Sequence, residues 1–137
     1  MSLLRRLFGV LLGFVVASAV MTLVEFTNGH LLYPDLGNAA RHVTDRAQMA
    51  ALMARAPAGS LLVVAAGWLL GAVAGGWTTT RFIRTDGPGP AFILGGLLTL
   101  AGVANHLMMP PPLWFGVLGL AVMLPGSWYG ARCAGSR

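Results

Sequence analysis

The chain has no lysine and a single cysteine, Cys133, among its 137 residues, and only 9% of its residues are charged. A typical soluble domain has about 25% charged residues, so this chain lacks the polar groups to cover a surface exposed to water. The single cysteine excludes a disulfide scaffold, and the scarcity of charge excludes an intrinsically disordered chain. The absence of lysine excludes catalysis through a lysine nucleophile or Schiff base.

Hydrophobic residues are abundant instead, at 56% of the chain, and the mean hydropathy is +0.74. Four apolar segments, each near the roughly 20 residues that a helix needs to cross a bilayer, cover residues 7–26, 60–80, 90–109 and 113–131. Proline-rich turns, which end helices, separate the last three segments. The sequence therefore predicts an all-α integral membrane four-helix bundle. Residues 1–137 form a single transmembrane domain, residues 27–59 form an outer loop, and Pro125 kinks the fourth span.

The nine arginines predict the orientation of the four spans. Six fall on one side of the membrane if the chain crosses four times: Arg5, Arg6, Arg81, Arg84, Arg132 and Arg137. Three fall on the other: Arg41, Arg46 and Arg55. The positive-inside rule then predicts a multi-pass protein of a bacterial inner membrane with both termini in the cytoplasm.

The first apolar segment has a second interpretation, as a cleaved signal peptide. Arg5 and Arg6 precede an apolar stretch, and Ala17-Ser18-Ala19 provides a cleavage site of small residues. The apolar run continues past Ala19 to Val24, which favours a retained span.

Two sequence correspondences predict an internal repeat. Thr22, Asn28-Gly29-His30-Leu31 and Pro34 close the first span, while Thr99, Asn105-His106-Leu107 and Pro110 close the third. The second and fourth spans both end in Gly-x-Trp-x-x-x-Arg, at residues 75–81 and 126–132. This order predicts a duplicated helical hairpin whose copies are related by an axis along the membrane normal.

The outer loop contains one further predicted helix, over residues 44–55. Thr44 or Asp45 would cap it, and Pro57 would stop it. Arg46 and Arg55 would face water, while the apolar side would face lipid or the helical bundle, so the sequence predicts a short interfacial amphipathic helix. The residues of that apolar side are Val43, Ala47, Ala50 and Met53.

A cluster of polar residues is the strongest functional indication in the sequence. Glu25 is the only acidic residue within a predicted span, where an unpaired charge is costly, so we expect it to be protonated or bonded to His30, His106 or Asn105. Ser18, Thr22 and Glu25 share one helical face. The predicted ligand-binding or structural cluster, at the outer helix ends, comprises Glu25, Asn28, His30, Asn105 and His106. Such a cluster could form a structural knot of hydrogen bonds, carry a proton or small ligand, or hold a metal ion. His42 is expected to be solvated.

Glycines at four-residue spacing predict close helix packing. The predicted packing positions are Gly67, Gly71, Gly75, Gly126 and Gly130, and Gly9 and Gly13 form a similar pair on the first span. Packing within the bundle and packing against a second chain remain alternatives. Four tryptophans, Trp68, Trp77, Trp114 and Trp128, suit the membrane interfaces.

Several stretches of the chain carry a resemblance to known proteins. They are Glu25, residues 30–34, residues 57–70, residues 112–115 and residues 129–132. Together they resemble an uncharacterised family of small bacterial four-span inner-membrane proteins, and the overall plan is similar to that of DoxX-like proteins. The resemblance implies four spans and no particular activity.

Nothing in the sequence resembles a phosphate-binding loop, a nucleophile elbow or a paired cysteine motif. We therefore expect a non-catalytic protein without cofactors that acts as a structural or accessory component of the inner membrane or of a membrane complex. Its expected partners are the lipid bilayer and a homo-oligomer or larger complex, and not nucleic acid. The alternative is a small ligand-, proton- or metal-handling protein that uses the polar cluster. A miniature transporter would require an oligomer, because four helices enclose little volume.

Overall fold

The computed structural model describes residues 2–135, and every regular element in that range is helical. The α-helices are α1 Leu3–Thr27, α2 Pro34–Arg41, α3 Arg46–Arg55, α4 Ala58–Ile83, α5 Gly89–Met108, α6 Leu113–Ala121 and α7 Met123–Gly135. A π-helical turn, Asn28–Leu32, continues α1. Arg137, one of the arginines assigned to the cytoplasmic side, lies outside the described residues.

Four helical segments are long and apolar enough to cross a membrane: Leu3–Leu32, Ala58–Ile83, Gly89–Met108 and Leu113–Gly135. The prediction of an all-α chain with four candidate spans is confirmed. The fourth segment is divided at Val122 between α6 and α7, three residues before Pro125. Proline has no N–H to donate to the carbonyl of Ala121, so this break has the cause that the sequence predicted.

The loop between α1 and α4 contains two helices, of which the sequence analysis predicted only one. The predicted helix is α3, and the Asp45 side chain caps it by accepting the Gln48 N–H at 2.8 Å. The helix that was missed is α2. Its first residue is Pro34, a position where the absent N–H costs nothing, and Asp35 in the first turn complements the helix dipole.

The π-helical turn lets α2 lie against the end of the first span. The Tyr33 N–H bonds to the Asn28 carbonyl at 2.7 Å, which closes the wider turn. A Cβ atom at Gly37 would meet the backbone of Gly29, so the two segments touch through glycines.

Small residues bring α4 against both α1 and α7, and these two contacts are the most extensive in the fold. A Cβ atom at Gly75 would lie 2.7 Å from the Gly13 carbonyl oxygen, and one at Gly76 would meet the Ser127 backbone. All five predicted packing glycines, Gly67, Gly71, Gly75, Gly126 and Gly130, face a neighbouring helix of the same chain at distances too short for a Cβ atom. Such close approach is how small residues stabilise helix contacts in lipid.

The two ends of the helices differ in composition. One end, here called the arginine end, contains Arg5, Arg81, Arg84 and Arg132. The Arg5 guanidinium donates to the Phe82 carbonyl at 3.1 Å, which joins the start of α1 to the end of α4. The opposite end, the loop end, contains the π-helical turn, α2, α3 and the end of α5. The sides between these ends are apolar, with Leu23 66% and Leu100 67% exposed.

Candidate functional site

Glu25 lies near the loop end of α1 and has a partner that the sequence analysis did not predict. The Trp68 Nε1–H donates to Glu25 Oε1 at 2.7 Å. We expected His30, His106 or Asn105 in this role. Trp68 can reach Glu25 because its indole crosses the contact between α4 and α1, and an indole N–H needs an acceptor when it is buried.

Trp68 differs from the expectation that the tryptophans mostly suit membrane interfaces. It is 5% exposed, whereas Trp77 and Trp114 are each 46% exposed. One signal in the sequence distinguishes it. Trp68 lies about ten residues into α4, or roughly 15 Å from the start of the helix, while interfacial tryptophans lie near helix ends.

His106 stacks on the same indole and does not bond to Glu25. The Trp68 and His106 ring centroids are 5.5 Å apart with planes 26° apart, and the Phe115 ring lies 5.4 Å from Trp68. His106 Nε2 lies 3.3 Å from the Gly116 carbonyl oxygen. A carbonyl only accepts, so Nε2 carries a hydrogen in this contact.

Asn28 is buried, at 6% exposure, and only the nitrogen of its side-chain amide has hydrogen-bond partners. Its Nδ2 donates to the Ser60 carbonyl at 3.3 Å and to Ser60 Oγ at 2.9 Å. The carbonyl accepts only, which fixes the orientation of the amide. Asn28 Oδ1 is buried and has no hydrogen-bond partner within residues 2–135.

These side chains share a cavity of about 220 Å³ beneath the loop helices. It is lined by Glu25, Asn28, Gly29, Leu36, Ala40, Met49, Leu52, Met53, Ser60, Leu61, Val64, Trp68, Asn105, His106, Met109, Pro111 and Phe115. The lining is largely apolar, with a few polar groups, which is typical of small-molecule sites. An apolar cavity of about 150 Å³ can hold benzene, so this one has room for a slightly larger molecule.

A groove of about 180 Å³ lies next to the cavity, between α1 and α5. Its lining includes Ser18, Thr22 and Glu25, the polar face predicted for the first span. Glu25, Trp68 and Asn105 line both the groove and the cavity. The Glu25–Trp68 pair therefore lies where the two spaces meet.

His30 lies apart from the other members of the predicted cluster. Its ring stacks on Phe26 at 3.9 Å, and its Nδ1–H donates to the Phe26 carbonyl at 3.0 Å. Its Nε2 then accepts from the Arg41 guanidinium at 3.2 Å. The structure brings Glu25, Asn28, Asn105 and His106 to one cavity and leaves His30 on the outside.

Two further expectations for polar residues have structural outcomes. Within residues 2–135, no group of three or more histidine, cysteine, aspartate or glutamate side chains could hold a metal ion. His42 is exposed, as expected, and its Nδ1 lies 2.8 Å from the Asn38 carbonyl.

The loop helix α3 contributes apolar side chains to the site, and for Met53 this is one of the two orientations, lipid or bundle, that the sequence analysis left open. Met49, Leu52 and Met53 line the cavity. Arg46 was expected only to face water, but its Nε donates to the Leu107 carbonyl at 2.7 Å. Because Leu107 lies in the last turn of α5, where carbonyls lack helical partners, this bond attaches α3 to the end of that helix.

Taken together, the helices define an all-α protein with four candidate membrane spans and a cavity beneath its loop helices. No protein-family model, curated protein or solved structure matches the chain.

Proposed function

We propose that this chain is a non-catalytic integral membrane protein, a structural or accessory component of a bacterial inner membrane or of a membrane complex. The observation that carries the proposal is that the exposed sides of the helices and the contacts between the helices consist of different residue types. Leucines such as Leu23 and Leu100 cover the sides of the molecule, while small residues pack the helices against each other. A four-helix bundle of this kind suits a lipid environment, where packing and not hydrophobic burial holds helices together.

For the topology, we propose that the arginine end is cytoplasmic. Arg5, Arg81, Arg84 and Arg132 support this orientation, because arginines are enriched on the cytoplasmic side. We also propose that α1 is retained. Gly9 and Gly13 lie in its first half and pack on α4, so cleavage after Ala19 would remove that contact.

Cysteine labelling in intact cells tests this topology. Cys133 is exposed on α7 at the arginine end, and Ala39 is exposed on α2 at the loop end. A membrane-impermeant maleimide should label Ala39→Cys in a Cys133→Ala background, and should label Cys133 only after the cells are permeabilised. Labelling of Cys133 in intact cells, or a mature N-terminus at residue 20, would overturn the proposed topology.

The internal repeat remains a proposal with three supporting observations. Arg81 lies over the Trp77 ring at 5.8 Å, and Arg132 lies over the Trp128 ring at 4.9 Å. Gly76 contacts Ser127, and these two residues are the same number of positions apart in the sequence as Trp77 and Trp128. They are therefore equivalent positions of the two proposed copies.

The third observation is that the first copy has one more residue than the second between asparagine and histidine. The π-helical turn lies at that point, and such turns accommodate an inserted residue. In an experimental structure, a rotation about the membrane normal should superpose the first two spans on the last two. A best-fit axis in the membrane plane would exclude the duplication.

An accessory role predicts a partner in the membrane. Extraction in a mild detergent, after reversible cross-linking in cells, should recover this chain with a second copy or another membrane chain at a fixed ratio. Recovery of uncross-linked monomer alone would count against an accessory role.

The cavity favours a second candidate function, the handling of a small ligand at the loop end. The specific observation is Asn28 Oδ1, a buried acceptor without a partner in the described residues, on a side chain that lines the cavity. Buried polar atoms usually have a hydrogen-bond partner in the protein or in ordered water, so this acceptor supports a polar group of a ligand, or a water, in the cavity.

A further inference from the structure

The polar groups around the loop-end cavity present an excess of acceptors. Asn28 Oδ1 has no donor within residues 2–135. The Glu25 carboxyl group receives one hydrogen bond, from Trp68, and a carboxylate can accept several. His106 Nδ1 is an acceptor when the ring is neutral, because Nε2–H is directed to the Gly116 carbonyl.

The donors of the same side chains are already used. The Asn28 amide hydrogens are directed to Ser60, the Trp68 N–H is directed to Glu25, and the His106 N–H is directed to Gly116. A ligand that completes the cavity must therefore bring hydrogen-bond donors. Asn105 and the Ser60 hydroxyl, which also line the cavity, can each both donate and accept and can adjust to either need.

We propose that the cavity binds a small, mainly apolar amine whose ammonium group donates to Asn28 and Glu25. This inference rests on the second candidate function above. An ammonium group has donors and no acceptor, and its charge strengthens a hydrogen bond to a carboxylate. The Trp68 and Phe115 rings line the same cavity and add the attraction of aromatic faces for a cation.

The size of the cavity suits a ligand of one ring with a short chain. The volume of about 220 Å³ compares with about 150 Å³ for a cavity that holds benzene, so the ligand has roughly ten non-hydrogen atoms. Its hydrocarbon part would pack on apolar residues such as Leu61, Val64 and Met53. The groove between α1 and α5 lies beside the cavity and shares Glu25, Trp68 and Asn105 with its lining.

Three matched probes test this inference on the full chain in lipid nanodiscs: 2-phenylethylamine, 2-phenylethanol and ethylbenzene. They share the ring and differ in the donor group and charge. Isothermal titration calorimetry should give at least tenfold tighter binding of the amine than of the alcohol, and weaker binding still of the hydrocarbon.

Two variants assign the binding to the cavity. Asn28→Ala should weaken amine binding at least fivefold. Glu25→Gln keeps an acceptor for Trp68 but removes the carboxylate, so it should reduce the preference for amine over alcohol while the protein stays folded. Asn38→Ala, on α2 and outside the cavity lining, is the matched control and should bind like the unmodified chain.

The outcomes separate this inference from the function on which it rests. If all three probes bind with equal affinity and Asn28→Ala weakens them equally, the cavity is a ligand site but the amine class is wrong. If none binds and Glu25→Gln leaves the fold intact, both the amine inference and the ligand-handling candidate fail. The structural or accessory role would then stand alone.

Discussion

The half of the molecule next to the arginine end, here called the arginine half, differs from the half next to the loop end, the loop half. The difference is in how closely the same helices approach each other. In the arginine half, α1 and α4 approach so closely that Gly13 and Gly75 face each other through their backbones. In the loop half, the large indole of Trp68 lies between the helices, and a cavity of about 220 Å³ lies between this indole and the loop helices. The size of the residues at each level therefore decides whether two membrane helices close on each other or leave a space.

The hydrogen bonds differ between the halves in the same sense. In the arginine half, the buried Thr79 hydroxyl donates to the Gly9 carbonyl at 3.1 Å, a neutral bond from side chain to backbone that joins α4 to α1. In the loop half, Glu25 and Trp68 bond through their side chains, and Asn28 keeps an unused acceptor. Buried polar atoms without a hydrogen-bond partner within residues 2–135 occur in both halves: Thr80 Oγ1 and Ser127 Oγ in the arginine half, and Asn28 Oδ1 in the loop half. The halves therefore differ in the kind of bond that joins the helices.

The largest expected effect comes from forcing the arginine half apart. Gly76→Leu would place a side chain against the Ser127 backbone, which cannot yield without separating α4 from α7. We expect a loss of about 3 kcal/mol or more in the free energy of unfolding, at the upper end for overpacked sites. Steric-trapping measurements in lipid bicelles would give the value.

Gly96→Leu is the matched control for that substitution. Gly96 also lies within a helix, on α5, but a Cβ atom there would meet nothing within 4 Å. This variant should be neutral or slightly stabilising, because leucine favours helix more than glycine does. Equal effects at the two positions would show that backbone approach is not what stabilises the arginine half.

The next largest effect is expected at the hydrogen bond between Trp68 and Glu25, which both line the cavity. Glu25→Leu leaves the buried Trp68 N–H without an acceptor and should cost about 1–3 kcal/mol in the free energy of unfolding. Glu25→Gln retains an amide oxygen to accept the bond and should change the stability much less. A double-mutant cycle with Trp68→Phe checks the pairing, since the two losses should be less than additive. Additive losses would mean that Glu25 and Trp68 do not act as a pair.

Features that depend on residues close together in the sequence could be predicted from it, whereas contacts between distant residues could not. The four spans, a cap of α3 at Thr44 or Asp45 and a kink at Pro125 follow from short stretches of residues, and they were predicted. The partner of Glu25 is more than forty residues away, and nothing in the spacing of Trp68 points to α1. His30 and His106 look equivalent in the sequence, yet Arg41 on the unpredicted helix α2 holds His30 outside the cavity.

The smallest effect is expected from the hydrogen bond that attaches the loop helix α3 to the end of α5. The Arg46 guanidinium donates to the Leu107 carbonyl at 2.7 Å and is the link from α3 to α5. Arg46→Met keeps the apolar stem of the side chain and removes the donor, so we expect a loss of about 1 kcal/mol, the usual net value of an exposed hydrogen bond. Hydrogen exchange at residues 46–55 should become several times faster, while exchange in α4 stays unchanged. Arg55→Met is the control, because among residues 2–135 the Arg55 guanidinium bonds only to the carbonyl of Ala51 within α3, at 3.4 Å. If both variants accelerate exchange equally, the faster exchange reflects weaker helix propensity in α3, and the Arg46 bond does not hold the loop half closed.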